Sequence, residues 1–437
     1  MKYPDLLERF QRYVQIDTQS DPHSPTVPST EKQKDLGRVL VDELLEMGIS
    51  DAHMDEKGYV YATVPASAGH ENAPAICFCS HMDTSPEYSG AGVVPTLHHN
   101  YDGGDIVLPK GDVIIGPKAF GPLKEMEGHT IITSDGSTLL GADNKAGVAE
   151  IMAAAAYLMQ HPEVPHATMK LLFTPDEEIG RGADHVDIEK LGAAWGYTMD
   201  GATKGSIEDE TFSADGATVI FRGANTHPGY AHKKMGNALK AAGVFLSLLP
   251  RQEWAPEATK GEAGFVHPYE IKGGVEEVRI TMILRSFDST ELDEYAQLIH
   301  ALAKQAAKAV KRTSYEIEIS EQYRNMKEIL DQHPQVVALA EKAIDACGLP
   351  VRKAKIRGGT DGSKLSFMGL PCPNIFAGEH AFHSPYEFVS LQDMESATDV
   401  IVKLLELVAT EPYKSRPEGA FFMVPKIFLS LVRHRLD

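Results

Sequence analysis

The sequence predicts an α/β chain in which a domain built on a largely parallel sheet is interrupted by a smaller α+β domain and then completed. Three observations predict it. Apolar strand-like runs alternate with amphipathic helices up to about residue 210, and between about Phe212 and Glu321 the texture changes to alternating strands with two helices. The length of 437 residues exceeds what one hydrophobic core usually serves, and 43% apolar residues suffice to fill two. The expected division is 1–211 with 322–437 for the discontinuous domain and 212–321 for the insert.

In order along the chain, MKYPDLLERFQRYV sets Leu6, Leu7, Phe10, Tyr13 and Val14 on one side of a helix. It lacks the uninterrupted apolar core of an export signal, so a cytoplasmic protein is expected. Ser29 or Thr30 is expected to cap a helix through Leu36, Val39, Leu40, Leu44 and Leu45 that stops at Gly48. Strands follow at YVYATV and AICFCS, a helix opens near Asn144, and strands return at MKLLFT and WGYTM. The apolar stretch from Ala146 to Met159 is too short to span a bilayer and carries Glu150, so it reads as a buried helix.

The insert opens with ATVIFRG and the helix NALKAAGVFLSLL. It continues with the strand EEVRITMILRSFD, a helix from Ser289 to Val310, and YEIEIS. Val278, Ile280, Met282 and Leu284 alternate with polar residues, so one face of that strand is buried and the other wet. The first domain then resumes with the helix HPQVVALAEKAIDACG, the glycine-rich IRGGTDGS, the strand NIFAG and a helix begun by Ser390. At the end, Val424, Ile427, Phe428 and Leu431 stand at helical spacing between basic residues, and a docking helix is expected.

Lys and Arg total 42 against 62 for Asp and Glu, and a formal net charge of −20 argues against nucleic acid or an anionic membrane as partner. Cys77, Cys79, Cys347 and Cys372 are too few and too scattered for a disulfide framework, which points to a reducing compartment.

The chemistry gathers at strand ends. SHMDT closes the run AICFCS, and in an extended segment His81 and Asp83 point to the same face. In LLGADNKAG, Asp143 sits in a glycine-flanked turn ahead of a helix. Glu177 and Glu178 follow the strand in LLFTPDEEIG, Asp200 closes WGYTMD, and HAFHSPYEF supplies His380 and His383. Ligands of open α/β sheets bind beyond the carboxyl ends of the strands, so these groups are expected to converge. Several carboxylates share a crevice only with something positive among them, and imidazole with carboxylate but no thiolate suits zinc, cobalt or manganese. Taken singly, each residue has an ordinary reading as a core histidine, turn former, solvated acid or cap; together they point to a metal site.

SHMDTSP, GADNKAGVAEIM, FTPDEEIGRGA, TMDG, HPG and IRGGTDGSKLSFMGLPCPN, in this order over nearly all of residues 1 to about 412, resemble the peptidase T family. These are tripeptide aminopeptidases of the cocatalytic zinc aminopeptidase, carboxypeptidase and acylase superfamily. The resemblance implies a zinc-exopeptidase-like catalytic domain with an inserted ferredoxin-like lid and dimerisation domain, and two Zn²⁺ per subunit. It implies that His81 and Asp200 hold one ion, Glu178 and His383 the other, and Asp143 both. Asp83 orients His81, Glu177 is the general base, and His227, Asn225 and Arg357 bind substrate. His383 is preferred to His380 because Glu387 follows it by four residues, as in the family. The implied partners are short peptides, chiefly tripeptides, and a second copy through the insert. The competing readings are a related dipeptidase, carboxypeptidase or N-acyl amino acid deacylase, or a non-catalytic relative that binds peptide or metal.

Overall fold

The computed structural model describes residues 2–411. The expected C-terminal docking helix around Val424, Ile427, Phe428 and Leu431 lies outside the described residues. Two compact units emerge. Within the described residues the first comprises 2–209, 326–355 and 360–411, and the second 210–325 and 356–359.

The first unit is organised by an eight-stranded sheet. Its spatial order is His53–Met54, Val60–Val64, Met169–Thr174, Ile76–His81, Trp195–Gly201, Asn374–Phe376, Ser206–Thr211 and Arg352–Ile356. The four strands from Met169–Thr174 to Asn374–Phe376 run parallel, while Val60–Val64 and Ser206–Thr211 flank them antiparallel. The sheet is therefore mostly parallel at its centre, as expected. Every residue of Ile76–His81 is buried, which explains its unbroken apolar sequence: both faces are covered. Cys77 and Cys79 turn to one face, among Tyr59, Leu172, Leu365 and Cys372. The helix Ala142–Gln160 covers the opposite face and packs in turn on Leu6–Val14 and Leu391–Thr410. The cysteines are free thiols, and among the described residues no helix is long and apolar enough to cross a membrane.

The cap expected at Ser29 or Thr30 is not formed. The helix runs Gln33–Glu46, its N-cap is Lys32, and Ser29 and Thr30 bond elsewhere, Thr30 Oγ1 to the Gln19 carbonyl at 2.8 Å. A buried acid described below claims Ser29 instead. Gly48 does follow the helix with φ of 89°. Ser390 caps Leu391–Thr410 as its sequence suggests, its side chain accepting from the Asp393 N–H.

The second unit orders its elements βαββαβ: Ser213–Arg222, Ala238–Leu248, Phe265–Gly273, Glu277–Ser286, Ser289–Ala309 and Ser314–Tyr323. The four antiparallel strands lie in the order Phe265–Gly273, Glu277–Ser286, Ser213–Arg222, Ser314–Tyr323, which is the ferredoxin-like arrangement. Val278, Ile280, Met282 and Leu284 face the two helices in one core with Phe221, Phe245, Leu292 and Ile299, as their alternation predicts.

Candidate functional site

His81 is the last residue of its buried strand and is itself 2% exposed. Its Nδ1 donates to the Asp83 carbonyl at 3.0 Å and lies 3.4 Å from Asp83 Oδ1. A ring nitrogen facing a carbonyl carries the proton, so the lone pair sits on Nε2 when the ring is neutral. That Nε2 is 2.9 Å from Asp143 Oδ1 and 3.4 Å from Asp200 Oδ1. Across the cluster, His383 Nε2 is 3.1 Å from Asp143 Oδ2 and 2.8 Å from Glu178 Oε2. Asp143 thus turns one oxygen to each histidine. The donor atoms of His81, Asp143 and Asp200 lie within 4.8 Å of one another, and so do those of Asp143, Glu178 and His383.

Local backbone geometry builds this cluster. Asp143 follows Gly141, whose φ of 82° is left-handed, and Asp143 and Asn144 precede the regular part of their helix. Buried Glu387 holds the loop, accepting from the N–H groups of Leu140, Gly141 and Asp143 at 2.7, 2.8 and 2.9 Å. Further along, a Cβ on Gly147 would stand 2.1 Å from the Met199 carbonyl and 2.5 Å from Ser80 Oγ. Only glycine lets this helix lie so close to the strands that carry Asp200 and His81.

Glu177 and Glu178 ride on a single 3-10 turn, Glu177–Ile179. Asp83, fully buried, accepts from the Glu177 N–H at 3.0 Å and the Glu178 N–H at 3.2 Å, so it serves the turn as well as His81. Behind the turn, Asp176 adopts φ of 59°, and its carboxylate accepts from Ser29 N (2.7 Å), Ser29 Oγ (2.5 Å) and Gln33 Nε2 (2.7 Å). Neighbouring side chains then diverge: Glu178 Oε2 meets His383, while Glu177 Oε2 stands 4.0 Å from His81 Nε2.

The two histidines of HAFHSPYEF part company. His383 joins the cluster, and its Nδ1 lies 3.1 Å from Glu87 Oε2. His380 is buried in the strand Glu379–His380 and stacked on Phe388 at 5.1 Å, and burial pushes its imidazole down to about 4. His81, Asp83, Asp143, Glu177, Glu178, Asp200 and His383 therefore come together in the first unit.

Asn225, His227 and Arg357 belong to the second unit. Asn225 and His227 are exposed, and His227 Nδ1 accepts from the Gly229 N–H at 3.1 Å. The Arg357 guanidinium donates to the carbonyls of Gly261 and Ala263 and lies 5.0 Å over the Phe212 ring.

Charge in the cluster is unbalanced by acids alone. Burial pushes the carboxyls of Glu177 and Asp200 up and that of Glu178 up to about 8. Burial also opposes the charge on Asp143, but the imidazoles of His383 and His81 hold it far below the usual range. Burial opposes both charged rings too, yet Asp143, Asp200 and Asp83 hold His81 well above its ordinary value, and Asp143 and Glu178 bring His383 up to about 12. The rings supply positive charge that the acids require, and divalent cations would take the place of those protons. Two features fit metal: the mixed imidazole and carboxylate donors, and Glu178 Oε1, which is buried with no protein partner.

Sequence reasoning missed the supports. Glu87, Asp176 with Ser29 and Gln33, and the role of Glu387 had no local signature. So did Asp361, which accepts from Thr174 Oγ1 at 2.6 Å. The acid run DEE and the glycine at 182, where a Cβ would meet Asp361 Oδ1 at 2.1 Å, were the available hints.

Residues 133–407 match the profile of Peptidase family M20/M25/M40. Peptidase T of Geobacillus sp. (strain WCH70) is 46% identical over 404 residues, covering 92% of this chain and 98% of the relative. Peptidase T of Vibrio parahaemolyticus is 45% identical over the same length and the same shares. Among solved structures, aminopeptidase PepT from Bacillus cereus superposes with a TM-score of 0.70 at 24% identity, covering 92% of this chain and 98% of that one. A tripeptidase from Staphylococcus aureus gives 0.72 at 22% identity, covering 93% and 98%. These likenesses span the fold, and the sequence matches go further: the chain is a peptidase that belongs to peptidase family M20/M25/M40 and, within it, to the peptidase T group.

Proposed function

We propose that this peptidase is a dinuclear metal aminopeptidase that removes the N-terminal residue from tripeptides. The observation that carries the reading is Asp143, whose two oxygens are each directed at a different histidine, each histidine with its own further acid. His81 and Asp200 would hold one ion, Glu178 and His383 the other, and Asp143 both. Imidazole with carboxylate and no thiolate favours Zn²⁺, with Co²⁺ or Mn²⁺ as alternatives. Such a pair supplies Lewis acidity, lowering the pKa of water and polarising the scissile carbonyl.

The remaining chemistry belongs to the chain. Glu177, adjacent to the donor cluster but not committed to a histidine, takes the proton of the attacking water and delivers it to the leaving amine. Asp83 fixes the position of that base through the Glu177 N–H and fixes the His81 ring through Nδ1. From the second unit, His227 is assigned to the developing oxyanion, and Asn225 and Arg357 to the peptide's carboxylate or backbone. Arg357 would use whatever guanidinium N–H groups its own loop leaves available. The second unit is assigned the roles of lid and dimer contact, the latter supported by Tyr269 and Ile271, exposed on the strand Phe265–Gly273. Free cysteines support a cytoplasmic location.

The test is a panel of di-, tri- and tetrapeptides with free or acetylated amines, assayed on metal-stripped and metal-restored protein. Cleavage confined to free-amine tripeptides, lost on stripping and recovered on restoration, is expected. Cleavage of acylated amino acids in preference to tripeptides would refute it.

A further inference from the structure

We infer that Glu87 is the carboxylate that receives the free α-ammonium of the peptide, so that one side chain both steadies His383 and selects substrates with an unblocked N-terminus. This rests on the aminopeptidase reading above. In any aminopeptidase the substrate ammonium lies two bonds from the scissile carbonyl carbon, about 2.5 Å away. The acid that holds it therefore borders the donor cluster itself, and a remote acid cannot serve.

The first unit brings few acids to that border, and the inward-facing ones are either committed or, like Glu379 with its unpartnered Oε2, buried out of reach of an incoming ligand. Asp83 is spent on two backbone N–H groups and His81, and Glu387 on three backbone N–H groups. Asp361 is 5% exposed and bonded to Thr174, and Glu379 is 1% exposed. Glu177 is the base. Glu87 differs from all of them: its side chain is 68% exposed, yet its Oε2 touches His383 Nδ1 at 3.1 Å. It borders the cluster and is open to an incoming ligand.

Its backbone is well held for such a task. Gln19 Nε2 donates to the carbonyls of Ser85 at 3.0 Å and Tyr88 at 2.9 Å, on either side of Glu87, and the Glu87 N–H donates to Ser85 Oγ at 3.2 Å. A carboxylate has about four lone-pair positions, so one bond to His383 leaves capacity for an ammonium. An N-acylated peptide would bring an amide carbonyl toward the same oxygens in place of a cation, which is a repulsive element against blocked substrates.

The experiment measures kcat and KM for trialanine and N-acetyl-trialanine, with metal content per chain, in the wild type, Glu87→Gln and Glu87→Asp. Glu87→Gln keeps an acceptor for His383 and removes the charge. The expected result is a wild type that ignores the acetylated peptide and a Gln variant with full metal content and KM for trialanine raised about tenfold, kcat changing far less. Glu87→Asp should recover part of the loss. Unchanged KM in Glu87→Gln, or a loss traced wholly to missing metal, overturns the assignment to Glu87 while leaving the aminopeptidase reading intact. A wild type that cleaves the acetylated peptide equally well overturns both.

Discussion

The two halves of the donor cluster share Asp143 but are secured in different ways. On one side His81 is 2% exposed, ends a strand buried on both faces, and is steered by the main-chain carbonyl of Asp83, with that residue's fully buried carboxylate beside it. On the other, the His383 side chain is 32% exposed, the residue has φ of 60°, and its steering group is the carboxylate of a surface glutamate. A ligand fixed by the backbone of the sheet keeps its orientation whether or not an ion is bound, whereas one fixed by a solvated side chain pays ordering entropy when the ion arrives. The inner half should therefore hold its ion more tightly than the outer half.

Removing what the halves share should have the largest effect. Asp143→Ala should lose both metal equivalents and all measurable turnover; metal analysis that finds one equivalent retained would separate the halves and deny the shared carboxylate. Next in size is Glu177→Gln, which should keep about two equivalents while turnover falls roughly 10³-fold, within the usual range for a lost general base. Retained activity would mean that the proton is carried by another group.

Chelation should separate the two halves further. Graded treatment with a chelator should release one equivalent well before the other, and Gln33→Leu, which strips Asp176 of a buried donor behind the Glu178 turn, should weaken the earlier-lost site roughly tenfold. Simultaneous release in the wild type would show the two halves to be equally held.

The smallest effect concerns the wall behind the inner half. Burial pushes Glu208 up to about 7, against the opposing bond from Asn374 Nδ2 at 2.6 Å. The folded chain thus binds this proton more tightly than the unfolded chain, whose glutamates titrate near 4.5. The stability it contributes is complete below about 4.5 and is lost as the pH rises through 7. Glu208→Gln should flatten that decline by on the order of 1 kcal/mol, read from urea midpoints at pH 5 and pH 8.

What the sequence made legible was whatever one segment could announce. Strand ends delivering His81, Glu178 and Asp200, and the glycine-flanked helix start that delivers Asp143, are local events, since a buried apolar run followed by a polar ligand type needs no distant partner to be noticed. Three of the insert's four strands and both its helices were readable for the same reason, as the alternation at Val278 to Leu284 shows, but the strand Phe265–Gly273 was not. Glu87, Glu387 and the pair Ser29 and Gln33 were not readable, because each acts across the fold. Glu387 holds backbone 247 residues away, and Asp176 reaches Ser29 147 residues back. Ser29 was read as a helix cap because a serine ahead of an apolar helix offers the nearest backbone N–H, and only the fold reveals a buried carboxylate that outbids it.

Gly147 contributes no donor, no charge and no contact with substrate, yet the space where its side chain would be is what allows the Asp143 helix to rest on the Met199 carbonyl. A methyl group there would lift one rigid rod off its floor and carry the Asp143 carboxylate with it. In a screen of random substitutions for lost hydrolysis, this silent position should therefore surface alongside the histidines and acids, and a designer transplanting the cluster to another scaffold would have to transplant an emptiness as well as its side chains.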